Sequence, residues 1–183
     1  MSEDSADTPS RGPIDTELLD RIATRLRGST RFERVERQPE YAPNAVVADY
    51  DLGYFPGGID SAYLRVRWFE TDDFSIHYAE QYHSGDSWEC RWDRHPNDHN
   101  SREHVHPPPD AATPGIDEPH PDAWQDVLAT VLSRLAARID AFWPAHSGES
   151  LQRPLSQPVS INCNRTTLYL TAAHPVGDTV GRQ

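Results

Sequence analysis

Between Ala62 and Asp93 apolar and polar side chains alternate over three consecutive stretches. A period of two is met only by strands that bury one face and expose the other. Leu64, Val66 and Trp68 point one way while Tyr63, Arg65 and Arg67 point the other. After the turn residues Glu70-Thr71-Asp72-Asp73, Phe74, Ile76, Tyr78 and Tyr82 continue the pattern opposite Ser75, His77, Ala79, Gln81 and His83. A second turn at Ser84-Gly85-Asp86-Ser87 leads into Trp88, Cys90 and Trp92, with Glu89, Arg91 and Asp93 on the other side. Ala45 to Tyr50 reads as one further strand ahead of these, and Phe55-Pro56-Gly57-Gly58 as the loop between. The expectation is a four-stranded antiparallel meander.

Helices flank it. Leu19, Ile22, Ala23 and Leu26 recur at helical spacing after Asp15, with Thr16 as the expected cap and Gly28 at the C-terminal end. From Asp122 to Phe142, Trp124, Val127, Leu128, Val131, Leu132, Leu135, Ile139 and Phe142 form one apolar stripe. Between the meander and this second helix lie Pro96, Pro107-Pro108-Pro109, Pro114, Pro119 and Pro121, which predict a long histidine- and proline-rich loop without a central strand. The predicted fold is therefore two-layer α+β over residues 15–142: helix, four strands, helix, with both helices on the aromatic face. Residues 1–14 read as a disordered lead-in. Residues 143–183, whose acids are Glu149 and Asp178 alone, read as a disordered or appended tail.

Composition bears on compartment and partner. The chain carries 29 acidic groups against 17 basic ones, all arginine, for a formal charge of −12. Acidity without lysine is the pattern of a protein kept soluble in concentrated salt, so a salt-adapted cytoplasm is expected. Acidity alone does not exclude nucleic acid there, because at 1 M salt the Debye length is ~3 Å and long-range attraction is screened. There is no apolar run of membrane-spanning length, and MSEDSADTPS lacks the layout of a secretory signal, so neither membrane insertion nor export is expected. Cys90 and Cys163 cannot make a disulfide framework of the small secreted kind.

The polar face of the meander holds the first candidate site. With the register the turns suggest, Trp68 faces Phe74, Leu64 faces Tyr78, and Tyr78 faces Trp92. Arg65, His77 and Asp93 then line up across three strands, with Arg67 and Arg91 displaced by one residue pair. A carboxylate beside an imidazole fixes its tautomer and raises its basicity, and guanidiniums hold phosphate through forked hydrogen bonds. The same row also reads as a solvated face of cross-strand ion pairs, each contributing ~0.2–1 kcal/mol. Trp88 and Trp92 have the chemistry to stack on bases, but their alternate positions facing the helices fit core better.

Histidine density supplies the second. Six of the nine histidines fall between His77 and His106, and His95, His99, His104 and His106 crowd into twelve residues. One chemistry is acid–base cleavage of RNA, whose 2′-OH is an internal nucleophile, so that neither metal nor cofactor is required. In that scheme His77 and His106 exchange protons, with His104 beside them, Asp93 orients His77, and Arg65, Arg67, Arg91 and His95 contact substrate. The alternative is a zinc site on His95, His99, His104 and His106 in a non-catalytic domain. A surface loop, or a protein–protein module docking through it, also remains open.

Ile76-His77-Tyr78, Arg91-Trp92-Asp93, His95-Pro96 and His104-Val105-His106 occur in an order that resembles the TumE-like toxin family of toxin–antitoxin modules. The resemblance spans about residues 63–110, with the second predicted helix in the expected place after it. It implies a toxin paired with a cognate antitoxin and acting on RNA.

Overall fold

Each strand pairs with its neighbour in sequence, so local hairpins alone build the sheet. The computed structural model describes residues 11–143. Helix α1 (Thr16–Arg27) precedes β1 (Phe32–Gln38), β2 (Ala45–Tyr50), β3 (Ile59–Trp68), β4 (Phe74–Tyr82), β5 (Ser87–Arg94), β6 (Glu103–His106) and β7 (Ile116–Asp117). Helix α2 (Trp124–Asp140) follows them. The sheet runs β1-β2-β3-β4-β5-β6-β7 and is antiparallel throughout.

The α+β expectation agrees with this architecture; the strand count does not. Seven strands replace four, and each addition lacks the usual signal. In β1, Phe32-Glu33-Arg34-Val35-Glu36-Arg37-Gln38, only Phe32 and Val35 are partly covered and packed on the core. A charged edge strand of this kind shows no period of two. β6 is four residues long and β7 two, too short for any pattern to register. The prolines do not contradict β6: Pro96 and Pro107 lie outside it, so no ladder donor is lost.

Both helices and the even-numbered positions of β3, β4 and β5 share one core. Leu19, Ile22 and Leu26 of α1 and Val127, Val131 and Leu135 of α2 cluster with Leu64, Val66, Ile76, Tyr78, Trp92 and Val105. The β3–β4 register is the expected one, with Trp68 opposite Phe74 and Leu64 opposite Tyr78. The β4–β5 register differs by two residues: Ile76 pairs with Trp92, Tyr78 with Cys90 and His77 with Arg91. The hairpin closes at Gln81 and Ser87, and its turn passes through Gly85 at φ 89°. An offset of two preserves the faces, so the core is unchanged while partners on the polar side are exchanged.

Asp15, not Thr16, caps α1: its Oδ1 accepts from the Leu18 amide at 2.8 Å. Asp15→Ala is expected to lower the unfolding free energy by about 1 kcal/mol, read from the urea midpoint; an unchanged midpoint would mean the cap is replaced by water. Ile14 bridges to Phe69, and the Glu70 amide donates to the Pro13 carbonyl at 2.9 Å. Of the lead-in expected over residues 1–14, residues 1–10 lie outside the described residues and residues 13–14 are thus tied to the sheet. The tail expected from residue 143 lies outside them apart from Trp143, whose indole donates to the Tyr54 carbonyl at 3.0 Å.

Within the core one charge pair is enclosed. Glu80 points inward from β4, fully buried, and Arg138 of α2 donates to both its oxygens at 3.3 and 2.9 Å. The hydroxyls of Tyr78 and Tyr82 also donate to it, at 2.8 and 2.6 Å. Burial and this hydrogen bond to the carboxylate push the Tyr82 hydroxyl up to about 12.

Candidate functional site

The face away from the helices is built from two rungs. Asp49, Tyr63 and Ala79 lie to one side of them. One rung runs Arg65, His77, Arg91, His106 across β3 to β6. The next runs Arg67, Ser75, Asp93, His104. Period-two alternation on each strand puts all eight side chains on the same face.

Asp93 is the hub. It is 1% exposed, and its Oδ2 accepts from Arg91 Nε at 2.6 Å. The Nε2 atoms of His106, His104 and His95 lie 3.3, 3.7 and 3.8 Å from the same oxygen. Its Oδ1 is buried without a hydrogen-bond partner. Burial acts to raise the carboxyl pKa, but the close approach of the His106 and His95 imidazoles and the charge of Arg91 outweigh it, and Asp93 is held well below the usual carboxylate range.

The imidazoles are oriented from behind. His106 Nδ1 meets the Ala112 carbonyl at 2.8 Å, His104 Nδ1 the Ser101 carbonyl at 3.0 Å, and His95 Nδ1 the Pro96 carbonyl at 2.9 Å. A carbonyl only accepts, so each Nδ1 donates and each Nε2 faces Asp93, as a donor where it carries a proton and as a lone pair where it does not. Burial lowers the pKa of His104, and nearby His95 and His106 act in the same direction against the opposing pull of Asp93.

The proline-rich segment supplies those carbonyls. Asn100 Nδ2 donates to the Gly115 carbonyl at 2.9 Å, and the Gly115 amide donates to Asn100 Oδ1 at 2.9 Å. Gly115 lies so close to β6 that a Cβ there would meet the Val105 carbonyl oxygen at 2.7 Å. Ala111 takes φ 49°, a region few non-glycine residues enter, at the turn that presents Ala112 to His106. A cleft of about 380 Å³ opens over this cluster, with Arg11, Arg67 and Arg91 at its wall.

Asp93, His95, His104, His106, Arg67 and Arg91 therefore come together. His77 does not join Asp93. The register offset places it opposite Arg91, and its Nε2 donates to Glu89 Oε2 at 3.0 Å, so Glu89 is the carboxylate that orients it. His77 and Arg65 lie on the same open face but outside the cleft lining. His99 is exposed at the rim, its amide bound by Asn97 Oδ1 at 2.9 Å, and its ring is not among those around Asp93. Glu89 was visible in sequence as a same-face neighbour; Ser75, Asn100 and Arg11 carried no signal of their own.

Arg67 adds an unpartnered donor. Its Nε is buried with no hydrogen-bond partner. Burial and then repulsion from Arg65 and Arg11 lower its pKa, so three guanidiniums concentrate positive charge on one face of an acidic chain.

Fold and site define a small α+β protein whose seven-stranded meander carries a carboxylate–imidazole–guanidinium cleft on its open face. A family model described as Toxin TumE matches residues 18–139, and the chain belongs to that toxin family. It is thus a toxin of the toxin–antitoxin type. No curated protein and no solved structure matches it. Among the described residues no helix is long and apolar enough to cross a membrane.

Proposed function

We propose that this toxin cleaves RNA on the open face of the sheet and is restrained by a cognate antitoxin. The rung Arg65, His77, Arg91, His106 carries the reading, because it sets an oriented imidazole between two guanidiniums in one row. His77 donates Nε2–H to Glu89, which leaves Nδ1 to accept a proton and lets the carboxylate stabilise the resulting imidazolium. Arg65 and Arg91, on the strands to either side, hold the phosphate through forked hydrogen bonds.

The 2′-OH gives its proton to His77 while its oxygen bonds to phosphorus. The P–O5′ bond breaks, the departing oxygen takes a proton from a water molecule in the imidazole-lined cleft, and His77 afterwards returns its proton to solvent. The products are a 2′,3′-cyclic phosphate and a 5′-hydroxyl. His77 and His106 stand two strand spacings apart, ~10 Å between backbones, a span that a phosphodiester seated over Arg91 bridges.

The test is single-stranded RNA and the matching DNA incubated with purified full-length protein and with His77→Ala. Wild type is expected to cut RNA but not DNA, and His77→Ala to cut it about 10²–10⁴-fold more slowly with an unchanged circular dichroism spectrum. Equal rates for the two proteins would overturn the role of His77. DNA cut as fast as RNA would overturn the 2′-OH mechanism.

A further inference from the structure

We infer that Asp93, His104 and His106 form a binding site for a divalent transition cation of the zinc class. Their ligand atoms all lie within 4.8 Å of one another, and all three side chains are buried. The hydrogen bonds behind the rings set the chemistry. With Nδ1 of His104 and His106 donating to the carbonyls of Ser101 and Ala112, the neutral rings turn Nε2 lone pairs toward a carboxylate oxygen. Such an approach is satisfied by a proton on Nε2 that donates to Asp93 or, between lone pairs, by a cation that all of them coordinate. Backbone carbonyls behind Nδ1 are also what orient metal-ligating histidines and fix their tautomer.

Spacing agrees. Ligands ~2.0–2.1 Å from a tetrahedral zinc stand ~3.3–3.4 Å from each other. His106 Nε2 is already 3.3 Å from Asp93 Oδ2, and His104 Nε2, at 3.7 Å, needs a small contraction. An independent observation points to a ligand: Asp93, almost wholly buried, has an Oδ1 with no partner, an acceptor that burial normally pairs. Imidazole and carboxylate donors without thiolate suit zinc and its neighbours in the first transition row.

Three protein ligands leave a coordination position free for water or a substrate oxygen, the pattern of catalytic rather than structural zinc. His95, with Nε2 at 3.8 Å from the same oxygen, stands beside the three. His99, exposed at the rim, is not a ligand and serves as the control. The ion faces the cleft that Arg67 and Arg91 wall, where it would polarise a phosphate oxygen or bind the departing one. The site itself does not depend on which substrate the cleft takes.

The experiment titrates full-length protein, stripped with chelator, first with Zn²⁺ in native mass spectrometry and then with Co²⁺ in visible absorption. Wild type and His99→Ala are expected to take up about one ion per chain, with the ligand-field bands of Co²⁺ bound to nitrogen and oxygen. His104→Ala and His106→Ala are expected to lose that ion. Should an alanine variant fail to fold, His106→Asn with circular dichroism takes its place, and the wild-type titration stands regardless. Wild type without stoichiometric uptake, or uptake retained in both histidine variants, would overturn the site. RNA cleavage by metal-free protein would remove the ion's part in the reaction while leaving the cleavage proposal standing. A bound ion in a protein that cuts no RNA would do the reverse.

Discussion

Arg138→Ala is expected to lower the unfolding free energy by about 3–5 kcal/mol, measured by urea denaturation of the full chain. The size follows from what is left behind. Glu80 is fully buried in β4, and Arg138 is the arginine that reaches it, at 2.9 and 3.3 Å. Once that cation is removed, the carboxylate keeps only the hydroxyls of Tyr78 and Tyr82 in a fully buried position. The guanidinium also stacks over the rings of Trp88 and Phe142, 4.3 and 4.4 Å from their centroids, so truncation removes packing between α2 and the sheet as well. Glu80→Gln keeps the acceptor for a tyrosine hydroxyl and removes the charge, so its cost is expected to be smaller, about 1–3 kcal/mol. A loss below about 1 kcal/mol for Arg138→Ala would show that the pair behaves as a solvated surface bridge.

This pair also marks the limit of what periodicity can tell. The alternation of β4 passed over Glu80, which shares the parity of its inward positions, and the helical stripe ran past Arg138 without including it. Neither residue carries a signal alone; only the packing of α2 on β4 makes them partners. The strands with strong alternation, β3 to β5, and the long apolar stripe of α2 were legible because burying one face leaves a period in the sequence. β1 was not, since an edge strand of alternating charges has almost nothing to bury. β6 was hidden differently: His104 and His106 do alternate around Val105, but four residues amid prolines look like loop.

The site was legible by face and not by partner. Asp93, Arg91 and Arg67 stood on the polar side in the sequence pattern and the structure keeps them there, while His104 and His106, read as loop, join that face through β6. Which carboxylate served which imidazole depended on turn length, and a turn two residues from expectation gave His77 to Glu89 and Asp93 to the histidines of β6. His99 shows the converse: clustering along the chain grouped it with its neighbours, while the Asn97 turn holds its backbone at the rim.

Arg91 should be the residue whose loss is felt in fold and function together. Its Nε donates to Asp93 Oδ2 at 2.6 Å, and in the sheet it stands between His77 and His106. Its side chain is about one-third exposed, so one part of the guanidinium neutralises a buried carboxylate while the rest reaches the cleft. Arg91→Ala is expected to slow RNA cleavage by about 10²–10³-fold, the usual cost of one fixed donor to developing charge. It also leaves Asp93 without the guanidinium that binds it, so the unfolding midpoint should fall. Arg91→Lys separates the two effects. An ammonium restores the charge beside Asp93 but has no planar fork with which to hold a phosphate while still bonding the carboxylate. The lysine variant should therefore recover most of the midpoint and little of the rate. If instead rate and midpoint recover together, charge alone accounts for Arg91, and the phosphate it was assigned must be held elsewhere, with the unpartnered Nε of Arg67 a donor on the adjoining rung.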